Sequence, residues 1–369
     1  NLLAGKSGVG KISHFCVDTF PVRIAGEVSR ERLNSKIFEM GLEKYFNDST
    51  SIFSKFALVA AEMAWNESKL GESEINPLNT GCFIGTSGDP AFINTLTKVY
   101  NQMGGGFDLT QFNEKYQHLF STKIYEKFPQ SVTNYIANRF DLNGPVNTIS
   151  TACASGTQAI GSALNLIQSG ECDVIIAGGS DAMIDEIILS CFYLLGTLSK
   201  NNDQPQKASR PFDGKRDGFV LSEGAGMVIL EELEHAKQRK APIFAEVIGY
   251  GSSLNAYTIT DFPPDGSGVD LAIKRAIADS NINAKEVDYI NAHGTSTIMN
   301  DKGETMAIKK VFGEYATKIP ISSTKSMLGH LISAAGAVEL IFTSCSIIDN
   351  RIHPTINLDN HDIKCDLYY

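Results

Sequence analysis

The chain has no C-x-x-C pair, a single tryptophan, no run of about 18 apolar residues and no excess of positive charge. Each absence excludes something. Its seven cysteines, Cys16, Cys82, Cys153, Cys172, Cys191, Cys345 and Cys365, are an odd and scattered set. That argues against a disulfide framework or a zinc ribbon and favours a reducing compartment, the cytoplasm. The lack of a long apolar run predicts no membrane span. A formal charge of −10 speaks against nonspecific nucleic-acid binding as the main role. It also requires any acidic partner to be met by a local basic patch. Residues 1–11 lack the basic, then apolar, then small-residue order of a signal peptide. The first residue is Asn rather than Met, so further residues are expected before it.

What is present is 369 residues, 43% of them hydrophobic, enough for one large core or two moderate ones. Apolar runs of strand length alternate with longer helical patterns, which predicts an α/β protein with largely buried sheets. Strands are expected over 81–85, 146–150, 173–177, 218–220, 226–231, 245–250, 289–292 and 320–322. Helices are expected over 51–65, 156–168, 268–278, 302–311 and 333–348. The helix beginning at Gly156 carries Gly, Ala and Ser on several faces, as a closely packed central helix needs.

Two segments repeat one theme. Residues 146–168 run strand, Ser/Thr-rich turn, then small-residue helix, and residues 320–348 do the same. Two similar halves are expected, 1–235 and 236–369, divided where the chain turns charged and then meets Pro242. Residues 101–127, glycine-rich and then polar and aromatic, read as a surface excursion or as an inserted lid or interface element. Residues 5–11, G-K-S-G-V-G-K, nearly form a phosphate loop, but Ile12 stands where the magnesium-binding Ser or Thr is needed, and no apolar strand precedes them.

Thr151-Ala-Cys-Ala-Ser-Gly156 joins an apolar strand to the small-residue helix. A cysteine there meets the free N–H groups and dipole of a helix N-terminus, which favour a thiolate. The same N–H groups suit the oxyanion of a thioester under attack. Cys172, Cys191 and Cys345 read instead as small packing residues. His293 follows an apolar strand in a Gly/Thr/Ser turn, and His330 follows Gly329 ahead of another small-residue helix. Both positions suit site-facing side chains. His14, His118, His235, His353 and His361 read as structural. Lys325 lies among apolar and small residues, where a cation tunes neighbouring pKa values. Glu339, within Ala-Gly-Ala-Val-Glu-Leu-Ile, reads as a carboxylate that needs a partner.

Around Cys153 the chain resembles the condensing enzymes of fatty-acid and polyketide synthesis, the β-ketoacyl-acyl-carrier-protein synthases of the thiolase-like superfamily. Their other motifs follow in order: Ser209-Arg-Pro-Phe-Asp213 with Arg216-Asp-Gly-Phe-Val220 and Glu223-Gly-Ala-Gly226, then Asn291-Ala-His-Gly-Thr-Ser-Thr297, then Ser323-Thr-Lys-Ser-Met-Leu-Gly-His330 with Ala334-Ala-Gly-Ala-Val-Glu339. The resemblance covers nearly the whole chain. It implies a thiolase-like α/β fold, two similar halves in alternating α-β-α-β-α layers. It implies Cys153 as nucleophile, His293 and His330 as ligands of the malonyl thioester oxygen, Lys325 in support of them, and Glu339 as the lysine's ionic partner. It implies acyl carrier protein as partner, a homodimer or a heterodimer with a related ketosynthase-like subunit, and no metal or other cofactor.

Three departures stand out. The glycine-rich, Phe-containing loop that such enzymes carry beyond this point is not found before Tyr369, so a missing C-terminal segment is expected. The pattern Pro-x-Gly-Asp after the first histidine motif reads Ile298-Met-Asn-Asp301 here. Simple fatty-acid synthases of this type show a basic cluster near the helix that here reads 46–57, but Lys55 is the only basic residue of that stretch. Rival readings are a cysteine hydrolase using Cys153, His293 and an Asn, and a structural metal held by Cys153, His293 and His330. A thiolase would use Cys345 or Cys365 as a second thiol.

Overall fold

The computed structural model describes residues 1–120, 122–258, 260 and 263–369. Strands β1 (Gly10–Lys11) and β2 (Ile24–Ala25) form a small antiparallel ribbon. The main sheet is built from β3 (Thr80–Gly85), β4 (Val146–Ile149), β5 (Val174–Asp181) and β6 (Gly224–Glu231), in the order β4-β3-β5-β6. β3 runs parallel to β4 and β5, while β6 closes the sheet antiparallel to β5. A parallel pair, β7 (Ile290–Asn291) and β8 (Ile321–Ser322), lies on the other side of two central helices. β3 and β5 read as unbroken apolar runs because both of their faces are covered.

Five layers result. Helices Ile52–Ser68 and Ser131–Phe140 cover one face of the main sheet through Phe53, Leu58, Ile136 and Phe140. On the other face lie the helices Ser155–Gln168 and Ala335–Asp349, packed through Ala159, Ala163 and Ala337. Beyond them come β7 and β8, where Asn291 Nδ2 donates to the Glu339 carbonyl (3.1 Å). Helices Val269–Ser280 and Ile298–Phe312 then close the stack through Ile273, Ile277, Ile308 and Phe312.

The central layer tolerates so little space that glycine is required. A Cβ on Gly179 would come within 2.5 Å of the Ser333 carbonyl oxygen, and one on Gly156 within 2.7 Å of the same atom. The two strand-to-helix turns match as well. Ala152 and Ile332 both sit at φ 49°, and each belongs to a short 3-10 turn that leads into a central helix.

Several expectations need correction. Residues 245–250 form no strand: Gly249 and Gly251 press against the backbone of helix Val269–Ser280, and Tyr250 N–H donates to Asp279 instead (2.8 Å). Residues 218–220 do not form a strand of the main sheet; Phe219 makes only an isolated bridge to Leu198. One helical stretch, Ile332–Asp349, is long and apolar enough to cross a membrane by length and composition. Its Ser, Thr and Gly residues disguise it in the sequence, and its first half is buried as a core helix. Cys191 and Cys345 are exposed rather than packed inside, while Cys172 is buried. Residues 109–115 of the 101–127 segment form a mostly exposed helix, and Ser121 lies outside the described residues.

Candidate active site

Cys153 sits in the turn Ala152–Ala154 at the head of helix Ser155–Gln168. Ser155 stabilises this turn: its hydroxyl accepts from Thr151 N–H (2.8 Å) and donates to the Ala152 carbonyl (2.6 Å). The half-buried sulfur faces His330, with Sγ 3.1 Å from Nε2. His293 completes the group, its ring 5.2 Å from that of His330 and nearly perpendicular to it. One ligand atom from each of the three residues lies within 4.8 Å of the other two. The structure thus brings together three side chains that are 140 and 37 residues apart in sequence (293 − 153 and 330 − 293).

The surroundings decide what each group can do. His330 is stitched into the chain beside it, its N–H donating to the Val220 carbonyl (2.7 Å) and its carbonyl accepting from Ser222 N–H (2.9 Å). Phe219 packs edge-on against its ring. Ile332 N–H donates to His330 Nδ1 (3.1 Å). In the neutral ring the proton therefore resides on Nε2, which points an N–H at the sulfur and away from the backbone. Burial and the nearby Lys325 charge hold both histidines well below the usual imidazole range, so they are neutral donors. Burial also pushes the Cys153 thiol up, with Lys325 and a backbone hydrogen bond opposing. Burial thus favours the thiol over the thiolate expected from the helix terminus alone.

Lys325 is buried at the start of a short helix, Lys325–Leu328, and its ammonium pairs with the Glu339 carboxylate. Burial pushes Glu339 up and the nearby Glu304 charge adds to this, while the lysine opposes it. The pairing holds the Lys325 ammonium close to both imidazoles.

Two further carboxylates act through the backbone and leave little trace in the residue order. Glu304 Oε1 accepts from His293 N–H (2.7 Å) and Oε2 from Gly294 N–H (2.8 Å), clamping the turn that carries the imidazole. Asp301 accepts from Phe212 N–H (2.8 Å) and Ser296 N–H (3.2 Å), and Arg216 lies 3.5 Å from it. Their one visible signal is a pair of acids, three residues apart, on the buried side of helix Ile298–Phe312. The altered segment 298–301 forms the first turn of that helix, which Thr297 caps by accepting from Asn300 N–H (3.3 Å).

The rival readings fit less well. A metal held by Cys153, His293 and His330 needs a lone pair on His330 Nε2, but Ile332 N–H already takes the Nδ1 lone pair and leaves a proton on Nε2. Among the described residues no Asn hydrogen-bonds either imidazole; Asn291 reaches Glu339 and Thr343, and Asn300 reaches Asp301 and Glu304. Cys345 is exposed on the outer end of its helix and Cys365 lies in a separate cluster, so neither stands as a second thiol beside Cys153.

A layered α/β fold with a half-buried thiol and two neutral imidazoles at its centre is an arrangement suited to acyl transfer. The β-ketoacyl synthase N-terminal domain matches residues 1–236, and the C-terminal domain of the same family matches residues 244–359. The chain is 41% identical over 368 residues to the 3-oxoacyl-[acyl-carrier-protein] synthase 2 of Coxiella burnetii, covering 99% of this chain and 85% of that one. It is 35% identical to a putative polyketide beta-ketoacyl synthase 1 of Streptomyces cyaneus, over 100% of this chain and 85% of that protein. Among solved structures, a type II polyketide acyl-carrier protein in complex with its ketosynthase bound to the hexaketide includes a chain similar at TM-score 0.87 and 36% identity, over 100% of this chain and 86% of that one. A beta-ketoacyl synthase from Burkholderia phymatum matches at TM-score 0.83 and 32% identity, over 100% of this chain and 86% of that one. The chain belongs to the β-ketoacyl synthase family and has its thiolase-like fold.

Proposed function

We propose that the chain condenses an acyl thioester with malonyl-acyl carrier protein, giving β-ketoacyl-acyl carrier protein and carbon dioxide. The observation that carries the proposal is a thiol and two neutral imidazoles whose ligand atoms meet within 4.8 Å of one another. In the first step Cys153 Sγ attacks the acyl thioester, the carrier sulfur leaves, and the thiol proton passes to it. The leaving sulfur thereby ends as a thiol and no base is consumed. In the second step malonyl thioester loses carbon dioxide, and its electron pair becomes an enolate. N–H donors from His293 and His330, aimed at the developing oxyanion, stabilise that charge, and burial strengthens them. The enolate carbon then attacks the acyl carbon, the Cys153 sulfur leaves with its bonding pair, and solvent returns a proton to it. Lys325 keeps the imidazoles neutral and Glu339 keeps Lys325 in place. The two halves of the chain divide near residues 235–236.

The partner is acyl carrier protein, and the working assembly is a homodimer or a heterodimer with a related ketosynthase-like subunit in the cytoplasm. Supporting an assembly is β4, an edge strand of the main sheet with Val146 and Asn147 exposed. The solved ishigamide ketosynthase/chain length factor is also similar, at TM-score 0.84 and 32% identity.

The test is the intact mass of the protein after incubation with acyl-loaded carrier. One acyl group on Cys153 is expected, absent from Cys153→Ala, while that variant still decarboxylates malonyl carrier because the histidines remain. Condensation by Cys153→Ala at the normal rate would remove the basis of the proposal.

A further inference from the structure

We propose that Asp181 is a positioning residue that holds the His330 ring in its donor tautomer through the turn Ile332–Ala334. For its activity readout this inference rests on the condensing-enzyme reading above. Asp181 is the last residue of β5 and is fully buried. Its Oδ2 accepts from Ser333 N–H (2.8 Å) and from the Ser87 hydroxyl (3.2 Å); its Oδ1 accepts from Ser87 N–H (2.9 Å) and the Thr86 hydroxyl (3.3 Å). Among the described residues no cation pairs with it. A buried carboxylate facing only hydrogen-bond donors is costly, so the fold keeps it for what it holds.

What it holds is a strained turn. Ile332 is β-branched and sits at φ 49°, a left-handed conformation that such residues rarely adopt. Left to itself, Ile332 would relax towards negative φ and swing its own N–H off His330 Nδ1. Ser333 N–H belongs to the next peptide. Anchoring that peptide to Asp181 leaves Ile332 no room to relax, and Gly156 and Gly179 close the space on the Ser333 carbonyl. The chain of restraint therefore runs from the Asp181 carboxylate to the Ser333 peptide, to Ile332 N–H, to His330 Nδ1, and so to the proton on Nε2 facing Cys153. Ser87 shares in it, because its hydroxyl also lies 2.8 Å from that of Ser333.

The experiment combines kinetics with nitrogen-15 imidazole spectra of histidine-labelled protein. In the unsubstituted protein His330 is expected to show an unprotonated Nδ1 and a protonated Nε2. Asp181→Asn places an amide NH2 against either Ser333 N–H or Ser87 N–H. It is expected to lower kcat for condensation about tenfold with KM for malonyl carrier little changed, and to move the Nδ1 signal towards its protonated position. In an Ile332→Gly background, where the left-handed turn is free of strain, the same substitution is expected to cost no more than about threefold. Should Asp181→Asn not fold, Ser87→Ala is the milder companion, expected to lower kcat about threefold at unchanged KM. The proposal is overturned by a His330 protonated on Nδ1 in the unsubstituted protein. It is equally overturned by a folded Asp181→Asn, or in its place Ser87→Ala, that keeps full kcat and the original spectrum. Failure of the underlying reading looks different: the unsubstituted protein would neither take up acyl groups on Cys153 nor condense them.

Discussion

At the scale of single residues, burial is the largest influence on the protonation of Cys153, His293 and His330. Burial holds the histidines neutral and Lys325 adds to the effect, so both imidazoles remain N–H donors well into acid. The acid limb of malonyl decarboxylation by Cys153→Ala is therefore expected below pH 6.5, the ordinary imidazole value, and a pH–rate profile checks it. A limb at or above that pH would contradict the burial argument. The sign for stability follows from the same shifts. Below about pH 6.5 the unfolded chain binds protons that these folded rings refuse, so their contribution to stability falls as pH drops. Asp181 and Asp301, each pushed up to about 6 by burial, act in the opposite sense. They bind protons in the folded state between their ordinary value of 3.8 and about 6, so each subtracts stability as pH rises through that window. For Cys153, whose thiol burial pushes above 9.0, the rate of alkylation by a small neutral reagent is expected to keep rising past pH 9.

At the scale of elements, the strand-turn-helix unit occurs twice, and its two copies meet at the Ser333 peptide. β4 leads to Ala152–Ala154 and helix Ser155–Gln168; β8 leads by a longer path, through Lys325 and His330, to Ile332–Ala334 and helix Ala335–Asp349. Both turns need a left-handed residue, and neither uses glycine there. Gly179 supplies the missing space from β5. Gly179→Ala is expected to cost about 1–3 kcal/mol of stability, because the contact it creates is with backbone, and denaturant melts measure it. Its kcat should fall too, since the displaced carbonyl belongs to the turn that orients His330. Much of this unit is legible in sequence. An apolar strand, a Ser/Thr-rich turn and a small-residue helix mark Cys153 and His330 by residue order alone. Asp181 and Glu304 are not legible in the same way. They serve the site through backbone N–H groups 152 and 11 residues away, and no side-chain pattern records such a bond.

At the scale of the whole molecule, five layers bury two central helices, and the order of strands leaves β4 at an open edge. Val146→Lys on that edge is expected to shift the protein towards monomer in size-exclusion chromatography and to weaken acyl transfer, because the exposed Ser150, Thr151 and Ala152 lie next along the chain. An unchanged elution volume would place the assembly surface elsewhere. The amino-acid sequence by itself determines the alternation of strand and helix, the small-residue central helices and the three reactive side chains in their turns, because these are patterns of near neighbours in the chain. Only the tertiary structure decides that the thiol rests protonated, that His330 presents N–H rather than a lone pair, and that residues 245–250 form no strand. Those outcomes depend on water excluded by distant segments and on backbone groups meeting across layers, and neither leaves a mark on residue order.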